Sequence, residues 1–417
     1  MKNIEEYVEN LCKNTKTAAP FLSQKSEVEK NEILVDIAKE IRRKNDEILS
    51  ANKLDLQNAE KNGVPKTMID RLALSMQRLE DIASSIEKIS ELETPLGKGE
   101  IFTNKNGLKI RKIQVPLGVV AIIYEARPNV TYDAAAICIK TGNAVVLRGG
   151  KEAIFSNRKA VEIIQSVLCR HGVKKEAVSL LDDITRQGTE ELMKQREYVD
   201  VLIPRGSKNL IRSVVKNSKI PCIETGAGNC HLYIEADADL DMALRVAINA
   251  KTQRPSVCNA IETLLVNKKI ADKFLPKFEA ATREFDLEIR ADEYGKKFLK
   301  NCTTATEEDY QTEYNDYIIA VKTLENIDEA IEHINRYGTG HSEAIITKSL
   351  SLADRFQCEV DAAAVYVNAS TRFTDGGVFG MGAEIGISTQ KLHARGPMGL
   401  YEMTTTKYLI DGNGQVR

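Results

Sequence analysis

Short apolar strands and helical segments alternate along the chain after Gly118, and this alternation limits the possible folds more than any other feature. The first block contains the β-branched runs VVAIIY, AVVLR, VDVLI and CHLYIE, and the second contains IETLLV, DYIIAV, EAIIT and AAVYVN. Parallel strands need a crossover between them, and helices in those crossovers cover both faces of the sheet. The pattern therefore predicts two α/β domains with parallel sheets and a boundary near residues 226–231.

Two of the helices carry recognisable end signals. In FSNRKAVEIIQSVLCRHG the apolar residues from 160 to 168 recur at helical spacing, with Ser156 as the predicted N-cap and Gly172 as the predicted stop. In NIDEAIEHINRYG, Asn326 and Glu329 have the spacing of a capping box. Both segments are predicted to be crossover helices.

The remaining segments predict helices and a ribbon. Residues 1–98 alternate helical patterns with polar linkers, and GEIFTNKNGLKIRKIQVPLG predicts a hairpin that turns at Asn106-Gly107. The alternating C-terminal stretch YEMTTTKYLI is expected to pair with this ribbon at residues 100–115. An isolated ribbon is only marginally stable, so we expect it to pack on something, such as another subunit.

Composition excludes several classes of protein. The 58 Lys and Arg residues nearly balance the 60 Asp and Glu residues, which argues against a nucleic-acid partner. No apolar run approaches the roughly 20 residues of a membrane span, and the acidic start MKNIEEYVEN is unlike a signal peptide. The eight cysteines form no C-x-x-C pair and have no zinc-ligand spacing to histidine, so we predict a cytoplasmic protein without a metal site.

The common nucleotide and hydrolase motifs are missing from the sequence. GAGNCH, GTGHSE and GMGAEI each lack the third glycine of a dinucleotide fingerprint, and there is no P-loop, G-x-S-x-G or H-E-x-x-H. Spacing alone indicates a two-domain cytoplasmic α/β protein that is an enzyme. Cys258 stands between a Pro-Ser turn and a predicted strand, where packing is the default role of a thiol.

Longer blocks of the sequence resemble the aldehyde dehydrogenase superfamily. VPLGVVAIIYEARPNVTYDAAAICIKTGNAVVLRGGKEA, IPRGS, IETGAGN and SVCN occur in the order of that superfamily, and the interval from Glu224 to Cys258 agrees with it. YEARPNVT, LRGGKEA, NRYGTGHSEAI and the segment from VNASTRFTDGG to HARGPMGL are similar to its branch that reduces glutamyl phosphate. The resemblance covers nearly the whole chain.

The resemblance implies a division of the chain and a reaction. Residues 1–98 and 116–228 would bind NADP, residues 229–395 would carry the catalytic cysteine, and residues 99–115 and 396–417 would form an oligomerisation ribbon. The implied reaction is the NADPH-dependent reduction of L-glutamyl 5-phosphate to L-glutamate 5-semialdehyde and phosphate through a cysteine thioester and thiohemiacetal. This is the second step of proline biosynthesis from glutamate. A homodimer or larger homo-oligomer is expected, and the glutamate kinase of the preceding step is a candidate partner.

The same resemblance assigns the catalytic residues. Cys258 matches the nucleophile, and Asn129 matches the loop residue that binds the oxyanion together with the Cys258 backbone N–H. Glu224 matches the residue that activates water in hydrolytic relatives, and its role here stays open between proton shuttle, structural acid and vestige. Lys251 and Arg254 are either a site for the leaving phosphate or solvated charges at a helix end.

Cofactor residues are also assigned by resemblance. Arg148 and Lys151 offer two cations, which suit the 2′-phosphate of NADP better than the free hydroxyl of NAD. Gly206 and Ser207 open a helix whose N–H groups would face the pyrophosphate. Glu313 matches a residue that holds the nicotinamide ribose.

Charged residues near the C-terminus are candidates for binding the glutamyl head group. NASTRFTDGG offers Ser370, Arg372 and Asp375, and Arg395 in HARGPMG competes for the α-carboxylate. Three other readings remain: another acyl reductase of the same superfamily, a cofactor-free cysteine acyltransferase or hydrolase, and a scaffold that has lost catalysis. The acyltransferase would leave the Arg148 loop unused, and the retention of Cys258 with Asn129 argues against the scaffold.

Overall fold

The computed structural model describes residues 3–417, which divide into two compact units. The first unit contains the chain up to Glu224 together with Met381–Gly386 and Met398–Arg417, and the second contains Thr225–Gly380 and Ile387–Pro397. Within the described residues, no helix is both long enough and apolar enough to cross a membrane.

The α-helices are α1 Ile4–Ser23, α2 Glu27–Arg43, α3 Asn45–Lys61, α4 Lys66–Leu72, α5 Met76–Glu91, α6 Pro128–Lys140, α7 Ile154–Arg170, α8 Arg186–Met193, α9 Lys208–Asn217, α10 Leu240–Thr252, α11 Lys268–Thr282, α12 Ile327–Tyr337 and α13 Leu350–Glu359. The strands are β1 Gly99–Thr103, β2 Lys109–Pro116, β3 Val119–Tyr124, β4 Ala144–Arg148, β5 Val178–Leu180, β6 Val201–Arg205, β7 Cys230–Ile234, β8 Ile261–Asn267, β9 Glu288–Ala291, β10 Thr303–Thr304, β11 Ile318–Leu324, β12 Ser342–Ile346, β13 Ala364–Val367, β14 Ile387–Ser388, β15 Gly396–Pro397 and β16 Thr404–Asp411. Short 3₁₀ helices span Lys151–Ala153, Lys175–Ala177, Arg283–Phe285, Gly295–Phe298, Asp309–Gln311, Thr371–Phe373 and Tyr401–Met403.

The first unit is built around a four-stranded parallel sheet in the order β5-β4-β3-β6. Val8 and Cys12 of α1 pack in one apolar cluster with Val119 and Ala121 of β3. All six residues of β3 are buried, as expected for a strand inside a covered parallel sheet.

The predicted ribbon is present in the first unit. β1 and β2 are antiparallel, and Gly107 in the turn has a φ of +82°, which an L side chain rarely adopts. The side-chain oxygen of Asn104 accepts the backbone N–H groups of Asn106 and Leu108 across the turn. β16 pairs with β2 from Thr404 to Asp411, which confirms the predicted pairing of the C-terminal strand.

The second unit has a seven-stranded parallel sheet in the order β10-β9-β11-β8-β7-β12-β13. Consecutive side chains on a strand point to opposite faces. Leu232 and Leu264 accordingly pack in one apolar cluster with residues of α10 and α11, whereas Tyr233 and Leu265 pack in another with α12 and α13. Helices therefore cover both faces, and the predicted α/β alternation is confirmed.

One predicted helix end is wrong, and the reason is tertiary. α7 begins at Ile154, two residues before the predicted cap Ser156. The carboxylate of Asp55, on α3, accepts the N–H of Phe155 at 3.1 Å and both the N–H and hydroxyl of Ser156 at 2.8 and 2.6 Å. The free N–H groups at the start of α7 are therefore satisfied by Asp55, which is distant in the sequence, and not by the predicted cap Ser156.

The second predicted cap is partly correct. The side chain of Asn326 accepts the N–H of Glu329 at 3.1 Å, as predicted. The Glu329 carboxylate, however, accepts the N–H of Glu325 at 2.9 Å rather than that of Asn326.

Candidate active site

Cys258 lies just before β8, at the amino-terminal edge of the parallel sheet in the second unit. The carboxyl-terminal edge is the usual ligand site in open α/β sheets, so this nucleophile candidate is an exception. The Cys258 carbonyl oxygen accepts the thiol of Cys230 at 3.1 Å. Gly228 lies against the same carbonyl group, and a Cβ at that position would overlap it. The start of β7 thus fixes the backbone of Cys258.

Glu313 supports this close contact. One of its carboxylate oxygens accepts the backbone N–H of Gly228 at 2.7 Å. In the sequence, the glycines of GAGNCH form an incomplete nucleotide motif and overlap the IETGAGN block of the family resemblance. The structure shows that Gly228 is needed because the backbone before Cys230 approaches the backbone of Cys258.

Asn259 joins the Cys258 turn to the segment after β13 through hydrogen bonds. It was not among the site residues predicted from the sequence. Its carbonyl oxygen accepts the hydroxyl of Thr371 at 2.7 Å, and its side-chain amide donates to the carbonyl of Thr374 at 2.8 Å and of Arg372 at 3.3 Å. The signal in the sequence was only a polar residue adjacent to the cysteine, and the structure shows that this residue is buried and hydrogen-bonded.

Arg372 and Ser370 belong to the same arrangement. The Arg372 guanidinium donates to the side-chain oxygen of Gln253 at 2.9 Å and to that of Asn259. Partial burial lowers the pKa of Arg372, and the neighbouring charge of Arg254 lowers it further, whereas Cys258 raises it. Ser370 is buried, and its hydroxyl accepts the N–H of Arg372 at 3.3 Å. These two predicted substrate residues therefore lie beside the Cys258 segment.

Lys251 is not a solvated charge at a helix end, and that alternative is wrong. Its side chain is fully buried and forms an ion pair with Glu262, which is also fully buried. Burial lowers the pKa of Lys251 and raises the pKa of Glu262 to about 7. A buried ion pair is costly to break, so we attribute to Lys251 a role inside the core. Arg254, by contrast, is exposed.

Arg395 occupies a different environment from Arg372. Its guanidinium donates to Asp361 at 2.7 Å, and Lys391 pairs with the same carboxylate at 2.6 Å. The carboxylate partner of Arg395 in this structure is thus supplied by the protein.

The cofactor candidates of the first unit follow β4 and β6 at their carboxyl ends, which is the usual ligand position. Arg148 ends β4, and its guanidinium donates to the carbonyl oxygens of Gly149 at 2.6 Å and Thr185 at 3.3 Å. Burial lowers the pKa of Arg148. A cavity of about 660 Å³ in the same unit is lined by residues of α3, by the basic residues Lys151 and Arg158 and by the acidic residues Glu152 and Asp182, and Asp182 pairs with Arg158 at 3.2 Å.

Gly206 and Ser207 precede α9, as predicted, but an acidic side chain lies against them. The Ser207 hydroxyl donates to the carboxylate of Glu125 at 2.7 Å, and a Cβ on Gly206 would overlap that carboxylate. Ser207 makes no side-chain cap on α9. A diphosphate at this helix start would have to displace the flexible Glu125 side chain.

The last two catalytic candidates lie in the first unit. Asn129 is exposed in the first turn of α6, rather than in a loop, and donates to Asp133 at 3.3 Å. Burial raises the pKa of Asp133 to about 6. Glu224 is half-buried and is the last residue before the chain enters the second unit.

A buried polar cluster lies in the core of the second unit. Glu343 accepts the backbone N–H of His231 at 2.7 Å and pairs with its ring Nδ1 at 2.9 Å. His333 packs edge-on against His231, and neither of its ring nitrogens has a hydrogen-bond partner in the described part of the chain. Burial lowers the pKa of His333 to about 2 and the pKa of His341 to about 4. Among residues 3–417, no group of His, Cys, Asp and Glu is arranged to hold a metal ion.

Comparison with known proteins identifies the family. The model of the aldehyde dehydrogenase family matches residues 2–295 and 300–409, so the chain belongs to this family, whose members are enzymes that use nicotinamide cofactors. The predicted fold class is thereby confirmed.

Individual relatives within the family are similar to this chain over nearly its whole length. A γ-glutamyl phosphate reductase of Clostridium beijerinckii is 53% identical over 405 residues, covering 97% of this chain and 98% of the relative. The crystal structure of a γ-glutamyl phosphate reductase from Thermotoga maritima has a TM-score of 0.96 and 44% identity, and the match covers 98% of this chain and 99% of that one. A glyceraldehyde-3-phosphate dehydrogenase from Methanocaldococcus jannaschii, complexed with NADP, shares the fold at a TM-score of 0.69 and 18% identity, over 98% of this chain and 95% of that one.

Proposed function

We propose that this enzyme reduces L-glutamyl 5-phosphate to L-glutamate 5-semialdehyde and phosphate, the second step of proline biosynthesis from glutamate. The observation that carries the proposal is the Cys258 turn, which Gly228, Cys230 and Asn259 hold in place. The relatives named γ-glutamyl phosphate reductase, which match nearly the whole chain, support the choice of substrate.

Cys258 acts as the nucleophile. Its thiolate bonds to the γ-acyl carbon, the bond from that carbon to the phosphate oxygen breaks, and the phosphate leaves with a proton. Asn129 and the Cys258 backbone N–H are the proposed donors to the oxyanion, as the family resemblance implies. When bound, a nicotinamide cofactor would supply the hydride that reduces the thioester carbon to a thiohemiacetal. The thiohemiacetal then releases the aldehyde as its carbon–sulfur bond breaks, and Cys258 is again a thiolate.

We propose that Glu224 belongs to the active site but does not activate a water molecule. Hydrolysis of the thioester would destroy the activated acyl group before reduction. A proton shuttle and a structural acid are both compatible with its half-buried position at the end of the first unit.

We propose NADPH as the cofactor. The cavity beside Lys151 supports this choice because the Lys151 side chain can complement a 2′-phosphate, whereas Arg158 is paired with Asp182. Arg148 shapes the adjoining turn through its bonds to Gly149 and Thr185. Gly206 and Ser207 would receive the pyrophosphate and Glu313 the nicotinamide ribose.

The cofactor proposal is tested by the preference for NADPH over NADH. Lys151→Ala should reduce the ratio of the two kcat/KM values by about tenfold, the effect of losing one charge-assisted contact. Arg148→Ala should reduce the ratio as well, because the turn before Lys151 loses its bonds to the Arg148 guanidinium. Lys216→Ala, in the last turn of α9, is the control. An unaltered preference in both site variants would show that the 2′-phosphate binds elsewhere.

Ser370 and Arg372 are the proposed contacts of the substrate, because both lie on the segment bonded to Asn259. Arg395 is the weaker candidate, since it would first have to leave Asp361.

One assay separates the proposed reductase from a cofactor-free acyltransferase and from an inactive scaffold. Glutamate 5-semialdehyde and NADP⁺ should give sustained NADPH production, beyond one turnover per site, only when inorganic phosphate is added, because phosphate releases the acyl group from Cys258. A cofactor-free acyltransferase would not change the nicotinamide absorbance, and an inactive scaffold would give no turnover.

The ribbon supports a proposed homodimer or larger homo-oligomer. Ile101 and Phe102 on β1, and Tyr408 and Ile410 on β16, are exposed apolar side chains on its two edge strands. The instability of an acyl phosphate in water makes the glutamate kinase of the preceding step a proposed partner, and both enzymes would then work in the cytoplasm.

A further inference from the structure

Two arginines lie close together beside the nucleophile turn. Arg254 precedes Cys258 by four positions, and its neighbour Gln253 holds the Arg372 guanidinium at 2.9 Å. The charge of Arg254 lowers the pKa of Arg372, and the charge of Cys258 raises it. Arg372 is therefore within electrostatic reach of Arg254 and of Cys258, and also of Asp375.

The hydrogen-bond partners of Arg372 are neutral. Arg290, Arg355 and Arg395 each donate to a carboxylate. Arg372 instead donates to the neutral amides of Gln253 and Asn259. The nearby Asp375 directs one carboxylate oxygen to the backbone N–H groups of residues 377 and 378, at 2.9 and 3.1 Å. Neutral partners orient the guanidinium without cancelling its charge.

Holding two like charges together is unfavourable unless an anion binds between them. Arginine is suited to phosphate because its planar donors match two phosphate oxygens at once. The amide bonds leave part of the Arg372 donor set for a ligand, and Arg254 is exposed, with no ion pair among the described residues.

The position of Arg372 is fixed relative to the nucleophile. Asn259, the residue after Cys258, bonds to Thr371, Arg372 and Thr374. A phosphate held by this guanidinium would thus keep a defined position next to the thiol, which is where the leaving group of an acyl phosphate must lie when its carbon is attacked.

We infer that Arg254 and Arg372 form the site for the phosphate group of the substrate, and that Arg372 does not bind the α-carboxylate. As the carbon–oxygen bond breaks, its electron pair moves onto the phosphate oxygen, and the two guanidinium groups stabilise the added charge. In the reverse direction the same pair holds inorganic phosphate for attack on the thioester. The inference rests on the proposed function.

The test uses the reverse reaction, in which inorganic phosphate is a separate substrate. Arg254→Gln should raise the KM for phosphate by about 10- to 100-fold, the effect of one lost charged hydrogen bond, and change the KM for glutamate 5-semialdehyde by less than about twofold. Arg254→Lys keeps the charge but loses the planar pair of guanidinium donors, so it should give an intermediate KM for phosphate. Arg283→Gln, an exposed arginine of the same unit, should match the unmodified enzyme.

A second measurement separates this inference from the proposed function. Without phosphate, one rapid turnover of NADPH per site reports thioester formation at Cys258. If the unmodified enzyme shows no such burst, the proposed function fails. If the burst is present and the KM for phosphate of both Arg254 variants stays within about twofold of the unmodified enzyme, or the KM for the aldehyde rises equally, the phosphate site is refuted. Should Arg254→Gln not fold, Arg254→Lys decides alone.

Discussion

Asn129 stands in the first turn of α6 with its amide exposed and bonded to Asp133. One amide hydrogen is thereby oriented, and the second is directed away from Asp133 and can be donated to an oxyanion. We expect Asn129→Ala to lower kcat by about 10²–10³, the usual effect of losing one such donor.

The matched control for Asn129→Ala is Asn217→Ala, an exposed residue at the end of α9. Both variants should have the circular dichroism spectrum of the unmodified enzyme. A kcat within about threefold of normal for Asn129→Ala would remove this residue from the mechanism.

His333 makes the protein sensitive to acid. Its pKa is about 2 in the folded chain because burial disfavours the charged ring, against an ordinary value of 6.5. Below pH 6.5 the unfolded chain binds a proton that the folded chain does not, so stability falls as the pH decreases toward 2. Each pH unit in that window costs about 1.4 kcal/mol. Phe cannot titrate, so His333→Phe should remove this loss.

Thermal unfolding measures the effect of His333→Phe. The Tm difference between variant and unmodified protein should be larger at about pH 5.5 than at about pH 8, in favour of the variant. Leu392→Ala, an exposed change of a side chain that does not titrate, should leave the pH dependence unchanged. An equal Tm difference at both pH values would mean that His333 does not titrate as described.

At the level of single residues, the sequence predicted the position of Cys258 in the chain but not what surrounds it. Asn259 bonds to Thr374, Gly228 lies against Cys258, and Gln253 accepts a bond from Arg372. In each case the partner is 30 or more residues away in the chain. On residue type alone, Arg372 and Arg395 were both candidates to bind the α-carboxylate of the substrate. Only the structure shows that Asp361 already pairs with Arg395.

The start of α7 depends on Asp55 rather than on its own sequence. This carboxylate is buried, its burial raises its pKa, and it accepts three hydrogen bonds from Phe155 and Ser156. Asp55→Ala would leave those buried donors without an acceptor, and we expect a loss of about 2–3 kcal/mol of unfolding free energy.

Urea denaturation of the Asp55→Ala protein gives the value directly. Glu60→Ala, an exposed change on the same helix α3, serves as the control and should alter the unfolding free energy by less than about 0.5 kcal/mol. If both variants unfold at the same urea concentration, Asp55 is not the cap of α7.

The regular elements were predictable where a local pattern specifies them. β-branched runs located the strands because residues buried on both faces leave a continuous apolar signature. Asn326 was a correct cap because its partner Glu329 is three residues away. The start of α7 was not predictable because its acceptor lies on another helix, about a hundred residues earlier in the chain.

For the whole molecule, the ribbon is the element that we expect to control assembly. Ile101, on edge strand β1, is 65% exposed in a single chain, which is unusual for an isoleucine on a strand. Ile101→Lys should lower the molar mass measured by size-exclusion chromatography with light scattering, because a charge opposes edge-to-edge pairing. Leu350→Lys, at an exposed position of the second unit, should have no effect.

A monomeric unmodified enzyme, or an unchanged mass for Ile101→Lys, would contradict the proposed role of the ribbon.

The predicted domain ranges stay a prediction. Met381–Gly386 and Met398–Arg417 return to the first unit, and no local pattern in the sequence reports such returns because they are set by long-range packing.

The account as a whole depends on a covalent glutamyl group at Cys258, and peptide mass spectrometry of a quenched reaction tests it most directly. The enzyme incubated with glutamyl phosphate and no NADPH should carry a glutamyl adduct on the peptide that contains Cys258. Adding NADPH should remove the adduct, and Cys258→Ala should neither form it nor turn over. A Cys258→Ala protein that still reduces the substrate, or an adduct found only on another cysteine, would contradict the account.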